Sequence, residues 1–193
     1  MATAEVAEPA RRLWTREEYY RMADLGLFHG QRTELIDGEV VILSPQKHRH
    51  YAAKDMAGER LKIAFGEGYW VREQGPLQCG DFSEPQPDVS VVPGTRDDYE
   101  DHPTHAILVV EVSEATLHYD RTQKASLYAR SGFPEYWIVN LIDRVLEVHR
   151  SPVDDDSQPF GARYADVQRF APGQTVAPLE KPDAAIAVAD LLG

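Results

Sequence analysis

A nearly unbroken apolar segment near the middle of the chain constrains the fold more than any other feature. Residues 106 to 112 read Ala-Ile-Leu-Val-Val-Glu-Val, a segment rich in β-branched residues with apolar side chains at both odd and even positions. A strand of this kind is typical of a sheet that is covered on both faces. We therefore expect an α/β or α+β protein, in which helices flank a mixed central sheet.

The segments around this strand predict further elements in an order that fits such a sheet. An N-terminal helix begins at the capping box of Thr15 and Glu18. A β-hairpin over residues 33–43 turns at Asp37-Gly38, a dipeptide that favours a type I′ turn. The other predicted helices cover residues 48–65, 117–130 and 183–192, and the other predicted strands cover residues 69–73, 89–92, 106–113, 136–149 (two strands) and 163–170, with a loop over 151–159.

The size and composition of the chain favour one domain. Its 193 residues are 42% apolar and 27% charged, which suffices for a core without disulfides or a structural metal. Residues 1–12 are expected to form a disordered tail, and residues 13–193 a single domain that ends, over 150–193, in a loop, an edge strand and a short helix. With one cysteine, no long apolar run and no signal-peptide pattern, we expect a cytoplasmic protein that does not enter a membrane.

The net charge of −12 argues against sequence-independent binding to the phosphates of nucleic acid. The charges are unevenly distributed, however. Residues 47–62 carry five lysines and arginines against two acids, whereas acids concentrate at 97–101 and 154–156. The charge therefore does not exclude nucleic acid as a partner, and it predicts weak, salt-sensitive binding that is confined to one cleft.

Two acids stand at positions that require an explanation. Glu111 lies inside the apolar strand and shares a face with Val109 and Ser113. Because an unpaired carboxylate is costly to bury, a cation, a hydrogen-bond donor or a water-filled cleft must face it. Asp88 follows Pro87 at the start of another predicted strand, where side chains can converge on a cleft. A structural ion pair and a solvated turn aspartate are the alternative interpretations.

The helix that follows Glu111 adds a cation to these acids. Asp120, Lys124 and Tyr128 recur at intervals of four residues, so they lie on one face of this helix. A solvated Asp-Lys pair would account for the first two. Two carboxylates and an ammonium at one strand edge are also the groups that can hold a hard divalent cation and orient water against a phosphodiester.

Several motifs, taken together and in this order, resemble the Uma2 family. The family consists of restriction-endonuclease-like proteins of bacteria in the PD-(D/E)XK nuclease superfamily, and the resemblance covers about residues 14–150. The motifs are ThrGluLeuIleAspGlyGluValVal at 33–41, Ser44-Pro45 followed by His50, ProAspValSerValVal at 87–92, LeuValValGluValSer at 108–113, Asp120-x3-Lys124-x3-Tyr128, and GlyPheProGluTyrTrpIleVal at 132–139.

The resemblance implies a metal-dependent endonuclease that uses Mg²⁺ or Mn²⁺ and has nucleic acid, in particular DNA, as its substrate. Asp88 and Glu111 match the two acidic metal ligands of the superfamily, and the Val112 carbonyl is the further ligand expected beside them. The superfamily lysine falls at Ser113, where this sequence departs from the pattern. Lys124 is therefore the candidate for a lysine that has migrated to the next helix.

Other residues take supporting roles by the same resemblance. Glu34 resembles a further acid that superfamily members bring to the site from an early element, so we count it among the catalytic candidates. Asp120 is expected to position Lys124, and Tyr128 to pack or to hydrogen-bond behind it. For His50 the resemblance supplies a position without a role, and a helix-surface or core histidine is the expected interpretation.

Two other functions remain open on the sequence. The chain could be a binding or regulatory module that keeps a nuclease fold without activity, because fold and function are separable. It could also be a metal-dependent hydrolase of a smaller phosphodiester, which the negative charge would tolerate better. Exposed strands and a mixed sheet leave a homodimer open as well.

Overall fold

The computed structural model describes residues 11–193, and residues 1–10, which hold most of the expected tail, lie outside the described residues. The helices are α1 (Arg16–Asp24), α2 (His48–Phe65) and α3, which is α-helical over Leu117–Tyr119, a π-helix over Asp120–Lys124 and α-helical again over Ala125–Arg130. The strands are β1 (Thr33–Ile36), β2 (Glu39–Ile42), β3 (Tyr69–Glu73), β4 (Val89–Pro93), β5 (Leu108–Ser113), β6 (Glu135–Asn140), β7 (Val145–Asp154), β8 (Ala162–Phe170), β9 (Thr175–Val176) and β10 (Ile186–Ala187). Short 3₁₀ turns cover Arg96–Asp98 and Val188–Leu191.

The central sheet has six strands in the order β3-β4-β5-β6-β7-β8. β5 and β6 are parallel, and the other neighbouring pairs are antiparallel. A parallel pair needs a crossover connection, and α3 provides it. All six residues of β5 are buried. The expectation of a mixed sheet flanked by helices is confirmed.

Side-chain alternation along β5 divides the core into two layers. Val110 and Val112 belong to the layer beneath α2 and the C-terminal segment, which also contains Leu61. Val109 belongs to the opposite layer, with Tyr128 of α3. Because Glu111 shares the face of Val109, it points into the α3 layer, and this alternation places the strand acid where the helix can contact it.

The hairpin β1-β2 forms a separate two-stranded sheet beside the central one. Asp37 and Gly38 both have positive φ, 51° and 73°, as the predicted type I′ turn requires. An isolated bridge between Leu35 and Glu84 and a hydrogen bond from Trp14 N to Gly38 O attach the hairpin to the rest of the chain. All four residues of β1 are buried, which carries Glu34 into the interior.

Two predictions about the C-terminal region are wrong. The strand β7 continues through residue 154, where a loop was expected from residue 151, because Val153 pairs with Arg163 in a long β7-β8 hairpin. The helix expected over 183–192 is instead β10 followed by a 3₁₀ turn. Its apolar residues pair with β9 and fill the layer beneath α2, so tertiary packing decides their conformation. No helix in residues 11–193 is both long and apolar enough to cross a membrane.

Candidate active site

Four separate segments bring charged side chains into one cleft. Glu34 comes from β1, Asp88 from the residue before β4, Glu111 from β5 and Lys124 from the π-helical part of α3. All four are buried, and all four line one cavity of about 340 Å³. The structure thus brings together the four residues that the sequence marks as catalytic candidates.

Lys124 lies between two carboxylates. Its Nζ atom is 2.8 Å from Glu34 Oε2 and 3.2 Å from Glu111 Oε1. Only 4% of the residue is exposed, so burial by itself would lower the pKa of the ammonium, but Glu111 and Glu34 outweigh burial and raise it. Lys124 is therefore charged at neutral pH.

The π-helix explains how Lys124 and Asp120 both reach the cleft. Residues at intervals of four drift around a regular α-helix, because each α turn holds 3.6 residues. A π turn holds more residues than an α turn, so the drift from Asp120 to Lys124 runs in the opposite sense to the α-helical drift from Lys124 to Tyr128. The two drifts offset each other, and the three side chains stay on one side of the helix.

Glu111 receives hydrogen bonds from three residues. Its Oε1 atom accepts a hydrogen bond of 2.7 Å from the Tyr128 hydroxyl and one of 3.2 Å from Lys124. Its Oε2 atom accepts from the Asp88 backbone N–H at 3.3 Å. Burial raises the pKa of Glu111 against the opposing effect of Lys124, and the nearby acids act in the same direction as burial. The donors and the cation explain how the strand accommodates this acid.

Asp88 is fixed as firmly as Glu111. Its Oδ2 atom accepts from the Val112 backbone N–H at 2.9 Å and lies 3.2 Å from His50 Nε2. Its Oδ1 atom accepts from Gln46 Nε2 at 2.9 Å. The Asp88 backbone N–H in turn donates to Glu111. Each carboxylate therefore accepts a hydrogen bond from the backbone at or next to the other acid.

Asp120 is anchored by residues other than Lys124. Its Oδ2 atom accepts hydrogen bonds from the hydroxyls of Ser113 and Thr116. Burial raises the pKa of Asp120 despite these two bonds. Ser113 therefore fastens the start of the π-helix to the end of β5, and the charge of Asp120 favours the protonated form of Lys124, which raises the Lys124 pKa.

His50 lies in the cleft, where the sequence favoured a helix-surface or core histidine. It belongs to the first turn of α2, and its side chain is 15% exposed. Burial alone would lower the pKa of His50, but the contact with Asp88 outweighs burial and raises the pKa. Nδ1 of His50 is buried and makes no hydrogen bond within residues 11–193.

The donor chemistry of the cleft fits a hard divalent cation. Asp88 Oδ1 and Glu111 Oε2 each accept one hydrogen bond from the described residues, so each keeps acceptor capacity. Mg²⁺ is usually held by one or two carboxylates together with waters and substrate oxygens, and so does not need a protein cage. Residues 11–193 contain no group of three or more His, Cys, Asp or Glu side chains that could hold a metal ion.

Sequence reasoning missed three glutamines at this site. Gln46 binds Asp88, Gln74 binds Gln46 with Nε2 at 2.9 Å from its Oε1, and the Gln86 N–H donates to Glu34 Oε1 at 2.8 Å. The available signals were positional, because Gln46 directly follows the Ser44-Pro45 motif and Gln86 precedes Pro87. Gln74 carries no comparable signal.

Comparisons with known proteins give a family match and a shared fold. The model of the Uma2 family, described as "Putative restriction endonuclease", matches residues 16–189. Among solved structures, the chain is similar to one described as a putative nuclease belonging to DUF820 from Anabaena variabilis ATCC 29413, with a TM-score of 0.68 and 14% sequence identity over 92% of this chain and 97% of that chain. At this identity the likeness shows a shared fold. No curated protein matches the chain.

Proposed function

This chain belongs to the Uma2 family, and from that premise we propose that it is a Mg²⁺-dependent endonuclease that hydrolyses phosphodiester bonds in DNA. Family and fold together support a nuclease. The observation that carries the finer proposal is the convergence of two acids and one buried lysine from three separate segments in one cleft. These groups suit metal-assisted phosphodiester hydrolysis.

Asp88 and Glu111 are the residues that would hold the ion, together with the Val112 carbonyl. When bound, Mg²⁺ supplies a water of lowered pKa and polarises the phosphate. Mn²⁺ offers the same oxygen-ligand chemistry and serves as its experimental substitute. Tyr128 fixes the Glu111 carboxylate through its hydroxyl, and Asp88 is fixed by the Val112 N–H.

Lys124 acts as a cation in this proposal. Because Glu34 and Glu111 keep its pKa high, its ammonium does not serve as a general base at neutral pH. It instead donates hydrogen bonds to the phosphate, where negative charge develops in the transition state. Glu34 holds the ammonium in the cleft before the substrate arrives.

A cleavage assay tests the proposal. Purified protein is incubated with plasmid and single-stranded DNA in Mg²⁺, in Mn²⁺ and in EDTA, beside the variants Asp88→Asn and Glu111→Gln. We expect metal-dependent cleavage by the wild type and a loss of at least a hundredfold in both variants. Cleavage that persists in EDTA or in Asp88→Asn would overturn the proposal.

Small phosphodiesters are included as substrates in the same assay, because the net charge of −12 suits a small substrate better than DNA. Hydrolysis of nucleotides or of small phosphodiesters without cleavage of DNA would support a metal-dependent hydrolase whose substrate is smaller than DNA. A folded protein that acts on none of these substrates would support a binding module on a nuclease fold.

A further inference from the structure

We propose that Gln46 is a positioning residue that orients the Asp88 carboxylate for the metal, an inference that rests on the proposed function. Gln46 lies in the connection between β2 and α2 and lines the same cavity as the acids. Its Nε2 atom donates to Asp88 Oδ1 at 2.9 Å. It is thus a neutral donor that contacts a candidate metal ligand.

A second glutamine fixes the orientation of the Gln46 amide. Gln46 Oε1 accepts a hydrogen bond of 2.9 Å from Gln74 Nε2. An amide has distinct donor and acceptor ends, so an acceptor end held by Gln74 leaves the donor end directed at Asp88. Reversing the amide would break both hydrogen bonds.

The backbone of Gln74 supports the same arrangement at a conformational cost. Gln74 has a φ of 52°, in the left-handed region that L-residues other than glycine rarely adopt. Its backbone N–H donates to Asp88 O at 3.1 Å, just beyond the end of β3. Backbone conformations of this kind cluster at functional sites in proteins, and Gln74 lies beside the candidate site. Asp88, Gln46 and Gln74 thereby form a closed hydrogen-bonded loop.

This loop determines which oxygen of Asp88 is available to a metal. Oδ2 already accepts from the Val112 N–H and contacts His50 Nε2, whereas Oδ1 contacts Gln46 alone among the described residues. Gln46 therefore fixes the plane of the carboxylate and leaves acceptor capacity on Oδ1. Because its amide is neutral, it does so without offsetting the negative charge that attracts a cation.

Mn²⁺ binding, measured by isothermal titration calorimetry, tests this role independently of catalysis. The proteins are the wild type, Gln46→Leu, Gln74→Leu and, to identify the site, Asp88→Asn. The matched control is Gln78→Leu, since Gln78 donates to the exposed Asp101, which lies outside the cavity that holds Asp88 and Glu111. We expect Gln46→Leu to weaken Mn²⁺ binding about tenfold to a hundredfold, the usual effect of losing a partner of a metal ligand. Gln74→Leu should weaken it less, and Gln78→Leu should leave it unchanged.

The outcomes separate this inference from the proposed function. Wild-type Mn²⁺ affinity in folded Gln46→Leu overturns the positioning role, whether or not the protein cleaves DNA. If Gln46→Leu fails to fold, Gln74→Leu takes its place in the comparison. Wild-type Mn²⁺ affinity in Gln74→Leu would then overturn the positioning role. Mn²⁺ binding that needs Asp88 and Gln46, in a protein that cleaves no DNA, supports the positioning role and overturns the endonuclease. A wild type that binds no Mn²⁺ overturns both.

Discussion

At the scale of single residues, Glu111 depends on the donors that surround it. A buried carboxylate without partners is costly, and a hydrogen bond to a charged group stabilises a protein more than a neutral one does. The Tyr128 hydroxyl is such a donor, and Tyr128 is itself fully buried. Lys124 also has two charged partners, because its ammonium lies between Glu34 and Glu111.

Tyr128→Phe tests this dependence. Removal of the hydroxyl leaves Glu111 Oε1 with Lys124 as its remaining donor, so we expect the free energy of unfolding to fall by about 2 kcal/mol. Urea denaturation at pH 7.5 measures the change. Tyr99→Phe is the matched control, because its hydroxyl donates to the Pro93 carbonyl near the surface. An equal, small loss in both variants would contradict the role of the Tyr128 hydroxyl.

His149 gives the fold a pH dependence that is separate from the site. It is buried on β7 between Tyr136 and Tyr164, and burial lowers its pKa to about 4. An unfolded histidine has a pKa near 6.5, so the unfolded state binds more protons between these values and stability falls as pH decreases from about 6.5 toward 4.

The variant His149→Phe should remove this contribution. Between pH 7.5 and pH 5.0, we expect the wild type to lose about 2 kcal/mol of stability through His149, and His149→Phe to show a correspondingly smaller loss. Urea denaturation at both pH values measures it. His48→Phe, in the exposed first turn of α2, is the control and should retain the wild-type dependence. An unchanged pH dependence in His149→Phe would contradict this assignment.

At the scale of elements, the β1-β2 hairpin delivers Glu34 to Lys124 from 90 residues earlier in the chain. Its turn depends on Gly38, where a Cβ atom would lie 2.5 Å from Leu13 Cβ and the φ is 73°. Gly30 has the same φ, but nothing lies within 4 Å of its Cβ position. These two glycines therefore separate backbone strain from close packing.

We expect Gly30→Ala to cost about 1 kcal/mol of stability, from the left-handed backbone alone. Gly38→Ala should cost about 1 to 3 kcal/mol more, because Leu13 must also move. It should also reduce cleavage, since the hairpin carries Glu34, whereas Gly30→Ala should not. Thermal denaturation and the DNA assay measure both effects, and equal values for the two variants would show that the approach of Leu13 is unimportant.

Local signals account for the elements that sequence predicts well. Thr15 and Glu18 form the capping box that begins α1, and Asp37-Gly38 forms the hairpin turn. The acids and Lys124 could be named because each is unusual within its own segment. Sequence did not reveal the π-helix, because no residue type marks the change in turn. Nor did it reveal the link from Gln46 to Gln74, which joins segments 28 residues apart.

At the scale of the whole molecule, the net charge of −12 limits how the protein can hold DNA. Exposed basic residues at the cavity, Arg32 and Lys47, offer a local contact for phosphates. Each phosphate contact adds about one unit to the slope of log affinity against log salt concentration. A small number of contacts therefore predicts weak binding that salt weakens further, with a slope set by those few contacts.

Arg32→Ala and Lys47→Ala test this limit. We expect each to weaken DNA binding and to reduce the salt slope by about one, while kcat stays near the wild-type value. Fluorescence anisotropy with labelled duplex DNA at several salt concentrations measures the slopes. Lys181→Ala, whose side chain lies over Tyr69 away from the cleft, is the control. A steep slope that neither cavity variant changes would place the DNA on another surface.

The measurement that tests the central claim most directly is single-turnover cleavage of DNA by the wild type and by Lys124→Met in the same Mg²⁺ buffer, with Lys181→Met as a matched loss of one lysine. The account predicts that Lys124→Met loses at least a hundredfold in cleavage rate because its cleft has no cation for the phosphate. Lys181→Met should cleave as the wild type does. Equal metal-dependent rates for the wild type and folded Lys124→Met would contradict the account.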